Sequence, residues 1–113
     1  MNRNKNRGTE WETAVVRYLQ RWWTRAERRA LAGNKDRADI AGIPDCVIEC
    51  KDAQRFELAT WMNETETERK NDGAELGILV IKRRRKGVDQ AYAVVPLWQM
   101  VLLLQDKERV DGR

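Results

Sequence analysis

The sequence predicts an α/β fold of the mixed α+β kind, in which helices flank a central mixed sheet. Three observations predict it: apolar residues recur at helical spacing near the start of the chain, short apolar runs bounded by turn residues follow, and a second helical pattern separates two of those runs. The chain has 113 residues, which suits one compact domain. The predicted order of elements is αβββαββα, with no internal repeat.

The first helix is predicted from about Glu10 to Trp23. Thr9, with Glu12 three residues later, matches the S/T-x-x-E capping box that begins many helices. The preceding residues 1–8 are polar and basic without periodicity, so we expect a flexible arm there. The apolar positions at helical spacing are Trp11, Val15, Tyr18, Leu19 and Trp22.

An antiparallel hairpin is predicted next. Residues 38–41 and 46–51 are short apolar-rich runs, and Gly42-Ile43-Pro44-Asp45 between them has turn chemistry. A weaker strand pattern precedes them at residues 25–31. The later predicted elements are a helix over 56–73 with Gly73 as its C-cap, a buried central strand over 76–81, a returning strand over 91–95, a helix over 96–107 and a tail over 108–113.

Composition excludes several classes of protein. The chain has no His, which removes His-based nucleophilic triads and His metal ligands. Cys46 and Cys50 cannot form a Cys-only zinc site or a disulfide framework, so a reducing, cytoplasmic setting is expected. The longest apolar stretch, 94–104, is about half the length that a bilayer requires, so we expect a soluble protein with no membrane partner.

The segment Val47-Ile48-Glu49-Cys50-Lys51 carries the first sign of chemistry. Alternate residues of a strand share a face, so Glu49 and Lys51 point one way while Ile48 and Cys50 point the other. One interpretation is an edge strand with one solvated face. The other is a catalytic site, and composition alone does not separate the two.

A metal site for phosphodiester hydrolysis needs a second carboxylate near Glu49. Asp45 lies four residues earlier on or beside the same strand, which places it roughly 13 Å away at about 3.3 Å per residue. Asp39 lies on the preceding strand, and a three-residue loop at 43–45 would set it directly opposite Glu49, with Cβ atoms about 5 Å apart. A two-residue loop would pair Asp39 with Ile48 instead. We therefore predict that Asp39 is the partner.

Two close carboxylates suit Mg²⁺, a hard cation that prefers oxygen ligands. Lys51 on the same face could then stabilise charge on the scissile phosphate. Glu12 is a third candidate carboxylate, although its place in the capping box explains it without a catalytic role.

Three blocks of this sequence together resemble a known family. Arg7-Gly8-Thr9-Glu10-Trp11-Glu12, Arg37-Ala38-Asp39-Ile40 and Ile48-Glu49-Cys50-Lys51 are similar to the motifs of the archaeal-type Holliday junction resolvases and their phage-encoded relatives, within the PD-(D/E)xK nuclease superfamily. The resemblance covers roughly residues 7–95. Ala38 replaces the Pro that usually precedes the aspartate.

The resemblance implies a restriction-endonuclease-like core and a Mg²⁺-dependent, homodimeric DNA endonuclease that cuts four-way junctions, with Mn²⁺ as a possible substitute. It assigns metal binding to Asp39, Glu49 and the Cys50 carbonyl, and the catalytic lysine to Lys51. Glu12 matches the first-helix glutamate, acting directly or through water, which reverses the preference for capping. A phage-encoded enzyme would work in the bacterial host cytoplasm. The alternatives are a nuclease for repair or restriction of other DNA, and a non-catalytic DNA-binding protein.

Basic residues are the candidate phosphate contacts, since the chain carries a net charge of +4. A solvated face is the competing explanation for each basic run. Of the five tryptophans, Trp11, Trp22 and Trp61 are predicted to be core residues. Residues 97–104 are apolar around most of the helix, which favours a homodimer contact over a fully covered core helix. The DNA-binding candidates are Arg3, Lys5, Arg7, Arg28, Arg29, Lys35, Arg37, Lys82, Arg83, Arg84, Arg85 and Lys86.

Overall fold

The computed structural model describes residues 3–29 and 38–112. Within these residues the elements follow the predicted order, and a short 3₁₀ turn precedes the last strand. The helices are α1 (Arg3–Leu19), α2 (Leu58–Asp72) and α3 (Leu97–Gly112), and the strands are β1 (Glu27–Arg28), β2 (Ile40–Ala41), β3 (Cys46–Lys51), β4 (Leu76–Ile81) and β5 (Tyr92–Val94).

The described strands form one mixed sheet in the order β1-β2-β3-β4-β5. Strands β3 and β4 pair in parallel, because α2 carries the chain back to the same edge, and the other neighbours are antiparallel. The predicted mixed α+β architecture is confirmed, with a five-stranded sheet flanked by three helices. The bounds predicted for β3 and β4 are also confirmed.

Two helices cover opposite faces of the sheet. Ile48 and Cys50 join Trp11 and Val15 of α1 in one apolar cluster. The residues that alternate with these along the strands face α2 instead, and there Leu79 and Ile81 pack on Trp61. This alternation follows from the pleat of a strand, and it puts Glu49 and Lys51 on the α2 face.

The approach of α2 to the sheet depends on two glycines. Gly73 has φ 66°, a left-handed conformation that ends α2 as predicted. Gly77 of β4 lies under the helix, where an added Cβ would come within 3.2 Å of the Arg69 Cβ. A side chain at position 77 would therefore require Arg69 or the helix to shift by a few tenths of an ångström.

Several predicted boundaries are wrong. Helix α1 begins at Arg3 and ends at Leu19, so residues 3–8 are helical rather than a flexible arm. Thr9 is not an N-cap, because it lies inside α1 and its carbonyl accepts a hydrogen bond from the Thr13 hydroxyl. Helix α3 continues to Gly112, so residues 108–112 belong to it and not to a tail. Apolar residues recur at helical spacing only along the part of a helix that packs against other elements. The polar ends of these helices therefore gave no such pattern.

The core differs from the prediction at one tryptophan. Trp11 and Trp61 are buried as predicted, whereas Trp22 is 58% exposed. Trp22 follows the end of α1 in a turn, so the helical stripe that buries Trp11 and Val15 does not extend to it. Among the described helices, none is both long enough and apolar enough to span a bilayer.

Candidate functional site

The register of the β2–β3 hairpin brings Asp39 and Glu49 together. Ile40 pairs with Ile48, and continuing this antiparallel register by one residue sets Asp39 opposite Glu49. Their carboxyl groups are close enough for the charge of Asp39 to raise the pKa of Glu49. The register is the one expected for the three-residue loop at 43–45, so the predicted juxtaposition is present in the structure.

Backbone N–H groups bind both the main-chain carbonyl and the side chain of Asp39. Its carbonyl accepts a hydrogen bond from the Arg29 N–H at 2.8 Å. Its Oδ2 accepts one from the Cys50 N–H, also at 2.8 Å. The side chain therefore has a fixed direction, toward β3 and Glu49, which a ligand or catalytic carboxylate requires.

Asp45 is used differently. It adopts a left-handed conformation with φ 57° in the hairpin turn, which Asp tolerates better than most residues. Its Oδ1 accepts a hydrogen bond from the Glu75 N–H at 2.9 Å, and its carbonyl accepts one from the Leu76 N–H. Asp45 therefore ties the turn to the start of β4 and is not directed at Glu49.

The amine of Lys51 lies between two carboxylates. Its Nζ is 3.4 Å from Glu49 Oε2 and 3.1 Å from Glu64 Oε2 of α2. Burial opposes the charge of this ammonium group, but the hydrogen bond to Glu64 and the attraction of Glu49 outweigh it, so the pKa of Lys51 is raised. The same-face placement of Glu49 and Lys51 is as predicted.

Helix α2 adds two acidic residues that the sequence prediction missed. Glu64 contacts Lys51, and Glu68 is buried beside Glu49 with only 7% of its surface exposed. A pocket of about 440 Å³ adjoins them and is lined by Thr60, Asn63, Glu64, Thr67 and Glu68. The signal was present, because Glu68 continues the buried stripe of Trp61 and Thr65 at helical spacing.

Burial and like charges make this face unfavourable for free carboxylates. Burial, then the charges of Asp39 and Glu68, raise the pKa of Glu49 to about 10. Burial likewise raises the pKa of Glu68 to about 7, although its hydrogen bond with Glu49 opposes the rise. A proton or a cation among these groups would relieve the repulsion.

Glu12 of α1 reaches the same region from the side. Its Oε1 accepts a hydrogen bond from Arg28 Nε at 3.1 Å. Burial and the nearby charge of Asp39 raise the pKa of Glu12, while Arg28 acts in the opposite direction. The structure therefore brings Glu12 near Asp39, as an electrostatic neighbour.

The carbonyl of Cys50 is directed toward the Asp39 edge of β3. The next carbonyl, that of Lys51, accepts the Lys82 N–H on the β4 side. Since successive carbonyls of a strand point to opposite sides, that of Cys50 faces β2 together with its own N–H. The thiols of Cys46 and Cys50 lie on the other face against the α1 cluster, as predicted.

The donor set fits a hard divalent cation. Glu49 Oε1 and Glu68 Oε2 are buried and have no hydrogen-bond partner among the described residues. Within 3–29 and 38–112, no three Asp, Glu, Cys or His side chains converge closely enough to hold a metal ion by themselves. Mg²⁺ does not need three, because it commonly uses one or two carboxylates and keeps several waters. The Asp39–Glu49 pair and the Cys50 carbonyl are the groups that would hold such an ion.

Two of the predicted DNA-binding residues make ion pairs at the edge of the site. Arg28 pairs with Glu12, and Arg29 Nη1 is 3.1 Å from Asp72 Oδ1 at the end of α2. Both arginines therefore help to assemble the fold around Asp39.

A second group of predicted basic residues lines a cleft beyond Lys51. Asp52 is one of its lining residues and lies 3.5 Å from Arg7 Nη2 and 4.0 Å from Lys82 Nζ. Arg84 and Arg85 complete the basic lining of this cleft, whose volume is about 360 Å³. The cleft begins one residue after the candidate catalytic lysine.

The remaining basic candidates are scattered. Arg83 lies over the Tyr92 ring at 4.8 Å, and the Lys86 N–H donates to the Arg83 carbonyl within the turn. Arg3 and Lys5 are in the first two turns of α1, and their side chains are outside the described part. Lys35 and Arg37 lie outside the described residues.

Comparison of this chain with protein-family models, with curated proteins and with solved structures gives no match. The geometry of the site is therefore the basis for assigning a function.

Proposed function

We propose that this protein is a Mg²⁺-dependent DNA endonuclease with a restriction-endonuclease-like core, acting on four-way junctions. The observation that carries the proposal is the pairing of Asp39 with Glu49 across the hairpin, with Lys51 on the same face. Two carboxylates and an amine arranged in this way are suited to phosphodiester hydrolysis.

Asp39, Glu49 and the Cys50 carbonyl would hold the cation, and Glu12 would act on it through water. When bound, Mg²⁺ supplies positive charge beside the phosphate and lowers the pKa of a water molecule. In the hydrolysis, the oxygen of water adds to phosphorus, one P–O ester bond breaks, and the leaving oxygen takes up a proton.

Lys51 acts as a cation in this scheme. A lysine ammonium group is charged at neutral pH, and Glu49 and Glu64 hold the Lys51 Nζ in one position. It can therefore stabilise the negative charge that grows on the phosphate oxygens during hydrolysis. A fixed position matters, because a charge that is already oriented costs little reorganisation when the reaction occurs.

The basic cleft gives DNA a path to this site. Arg7, Lys82, Arg84 and Arg85 line the cleft beside the end of β3 and outnumber its two acidic residues, Glu10 and Asp52. Phosphates bound there would lead the strand past Lys51 to the carboxylates. Such contacts position the DNA without reading its sequence.

A homodimer would supply the second cut that resolution of a junction requires. Helix α3 exposes Leu97, Val101 and Leu104, which lie on one side of the helix at helical spacing. An apolar stripe of this kind is typical of an interface between subunits. Two copies would then present two cleavage sites to one junction.

The proposal is tested by incubating the protein and Mg²⁺ with a labelled four-way junction and with a linear duplex. We expect paired nicks in the junction and little cleavage of the duplex. Asp39→Asn should lower the rate by at least about a hundredfold while DNA binding persists. Asp45→Asn is the matched control, since Asn keeps the acceptor for the Glu75 N–H and tolerates the left-handed turn.

Each contrary result has a separate meaning. Cleavage of the duplex as well as the junction would indicate a nuclease for other DNA and not a junction-selective one. Salt-sensitive junction binding without cleavage under any divalent metal would indicate a non-catalytic DNA-binding protein. Loss of cleavage in Asp45→Asn but not in Asp39→Asn would mean that the wrong aspartate has been assigned.

A further inference from the structure

Two adjacent tryptophans stand exposed at the end of α1, away from the candidate site. Trp22 is 58% exposed and Trp23 is 41% exposed. The centroid of the Trp22 ring is 5.1 Å from that of Tyr18 in an edge-on contact, and 6.5 Å from that of Trp23 with the planes at 59°. Because the two indoles are tilted, neither covers the face of the other. Exposed neighbouring aromatic rings of this size call for a partner.

The surface around these rings is strongly basic. Residues 17–25 contain Arg17, Arg21 and Arg25 and no Asp or Glu, and all three arginines are exposed. The Arg21 guanidinium carbon lies 5.2 Å from the centroid of the Tyr18 ring. Arginines interleaved with accessible indoles match the phosphates and the bases of a nucleic acid strand.

Other occupants fit this surface less well. A second copy docking the same patch in a symmetric dimer would bring the arginines of both copies together. A lipid surface requires a broad apolar helix face, but Trp11, Val15 and Val16 of α1 are buried in the core. The charge of the patch therefore favours a polyanion, and its rings favour one with open bases.

We propose that Trp22 and Trp23 form a stacking platform for a base whose face is exposed in the DNA substrate, at a branch point or in a single strand, with Arg17, Arg21 and Arg25 contacting the adjoining phosphates. A continuous duplex hides the faces of its bases, so the platform selects DNA in which a base face is exposed. The proposal deepens the proposed function and rests on it for the choice of DNA as the partner.

The test measures fluorescence anisotropy of a labelled twelve-nucleotide single strand and of its blunt duplex, with a chelator present. We expect Trp22→Ala/Trp23→Ala to weaken binding of the single strand by about tenfold or more and binding of the duplex by less than twofold. Trp22→Phe/Trp23→Phe should restore most of the affinity, because it keeps two aromatic faces. Val110→Ala is the control: Val110 is 64% exposed near the end of α3, outside the residues assigned to the homodimer contact, and its change should leave both affinities unchanged.

The proposal is overturned if the Ala variant binds the single strand like the wild type, or loses affinity for both DNAs equally. It is also overturned if the variant changes the oligomeric state in gel filtration, or if the tryptophans affect only binding to phosphatidylserine vesicles. If the Ala variant unfolds, the Phe variant supplies the test. The proposal is then overturned if the Phe variant binds the single strand and the duplex with equal affinity and does not prefer the single strand. The chelator prevents cleavage, so this test measures binding alone. A protein that never cleaves DNA can still prefer the single strand through these tryptophans, and an active nuclease can lack that preference.

Discussion

The two faces of the central sheet are built from alternate residues of the same strands, yet they differ in character. On the α1 face, Ile48 packs among apolar side chains and is 4% exposed. On the α2 face, the neighbouring Glu49 is 6% exposed and lies among Asp39, Glu68 and Lys51. Equal burial therefore stabilises the fold on one face and costs stability on the other. Ionisable groups kept at such a cost are characteristic of functional sites.

The largest effect on stability is expected on the apolar face. Ile48→Ala removes buried methyl groups from a packed cluster, so it should lower the free energy of unfolding by about 2–5 kcal/mol. Urea denaturation followed by circular dichroism measures this loss. A loss well below 1 kcal/mol would show that the α1 cluster is not the principal core.

On the α2 face, by contrast, a substitution is expected to increase the free energy of unfolding. In the presence of a chelator at pH 8, Glu49→Gln should raise the free energy of unfolding by about 1–3 kcal/mol, because Gln is neutral in both states whereas Glu49 must take up a proton on folding. The same denaturation experiment measures the gain. A variant less stable than the wild type would contradict the electrostatic description of this face.

The pH dependence sharpens that comparison. The pKa of Glu49 is about 10 in the folded protein and near its ordinary value of about 4.3 when unfolded. Between these values the folded state binds a proton that the unfolded state releases, so this contribution to stability is full below about pH 4 and falls as the pH rises. The advantage of Glu49→Gln should therefore shrink from pH 8 to pH 5.5, and an advantage independent of pH would refute this explanation.

The smallest effect is expected where the α2 face opens to solvent. Glu64→Gln removes one partner of Lys51, but the Glu64 side chain is 43% exposed, so the free energy of unfolding should change by less than about 1 kcal/mol. The pKa of Lys51 should fall, which NMR titration of the lysine side chains can measure. Glu66→Gln is the control, since Glu66 pairs with Arg69 instead. An equal fall in both variants would show that Glu64 does not hold Lys51.

Sequence reasoning predicted the elements that follow strict local patterns. The apolar runs gave the bounds of β3 and β4, and turn length gave the register that sets Asp39 opposite Glu49. Sequence reasoning failed where a contact depends on how a second element packs. Glu64 and Glu68 approach Lys51 and Glu49 only because the β3–α2–β4 crossover lays α2 over that face, and Trp22 is exposed because α1 ends before it.

The central claim is that Asp39 and Glu49 together hold a divalent cation. The most direct measurement is a titration with Mn²⁺, a paramagnetic substitute for Mg²⁺, in which electron paramagnetic resonance counts the free ion. We expect saturable binding in the wild type and in Asp45→Asn, and at least about tenfold weaker binding in Asp39→Asn. Equal binding by Asp39→Asn and the wild type would contradict the claim.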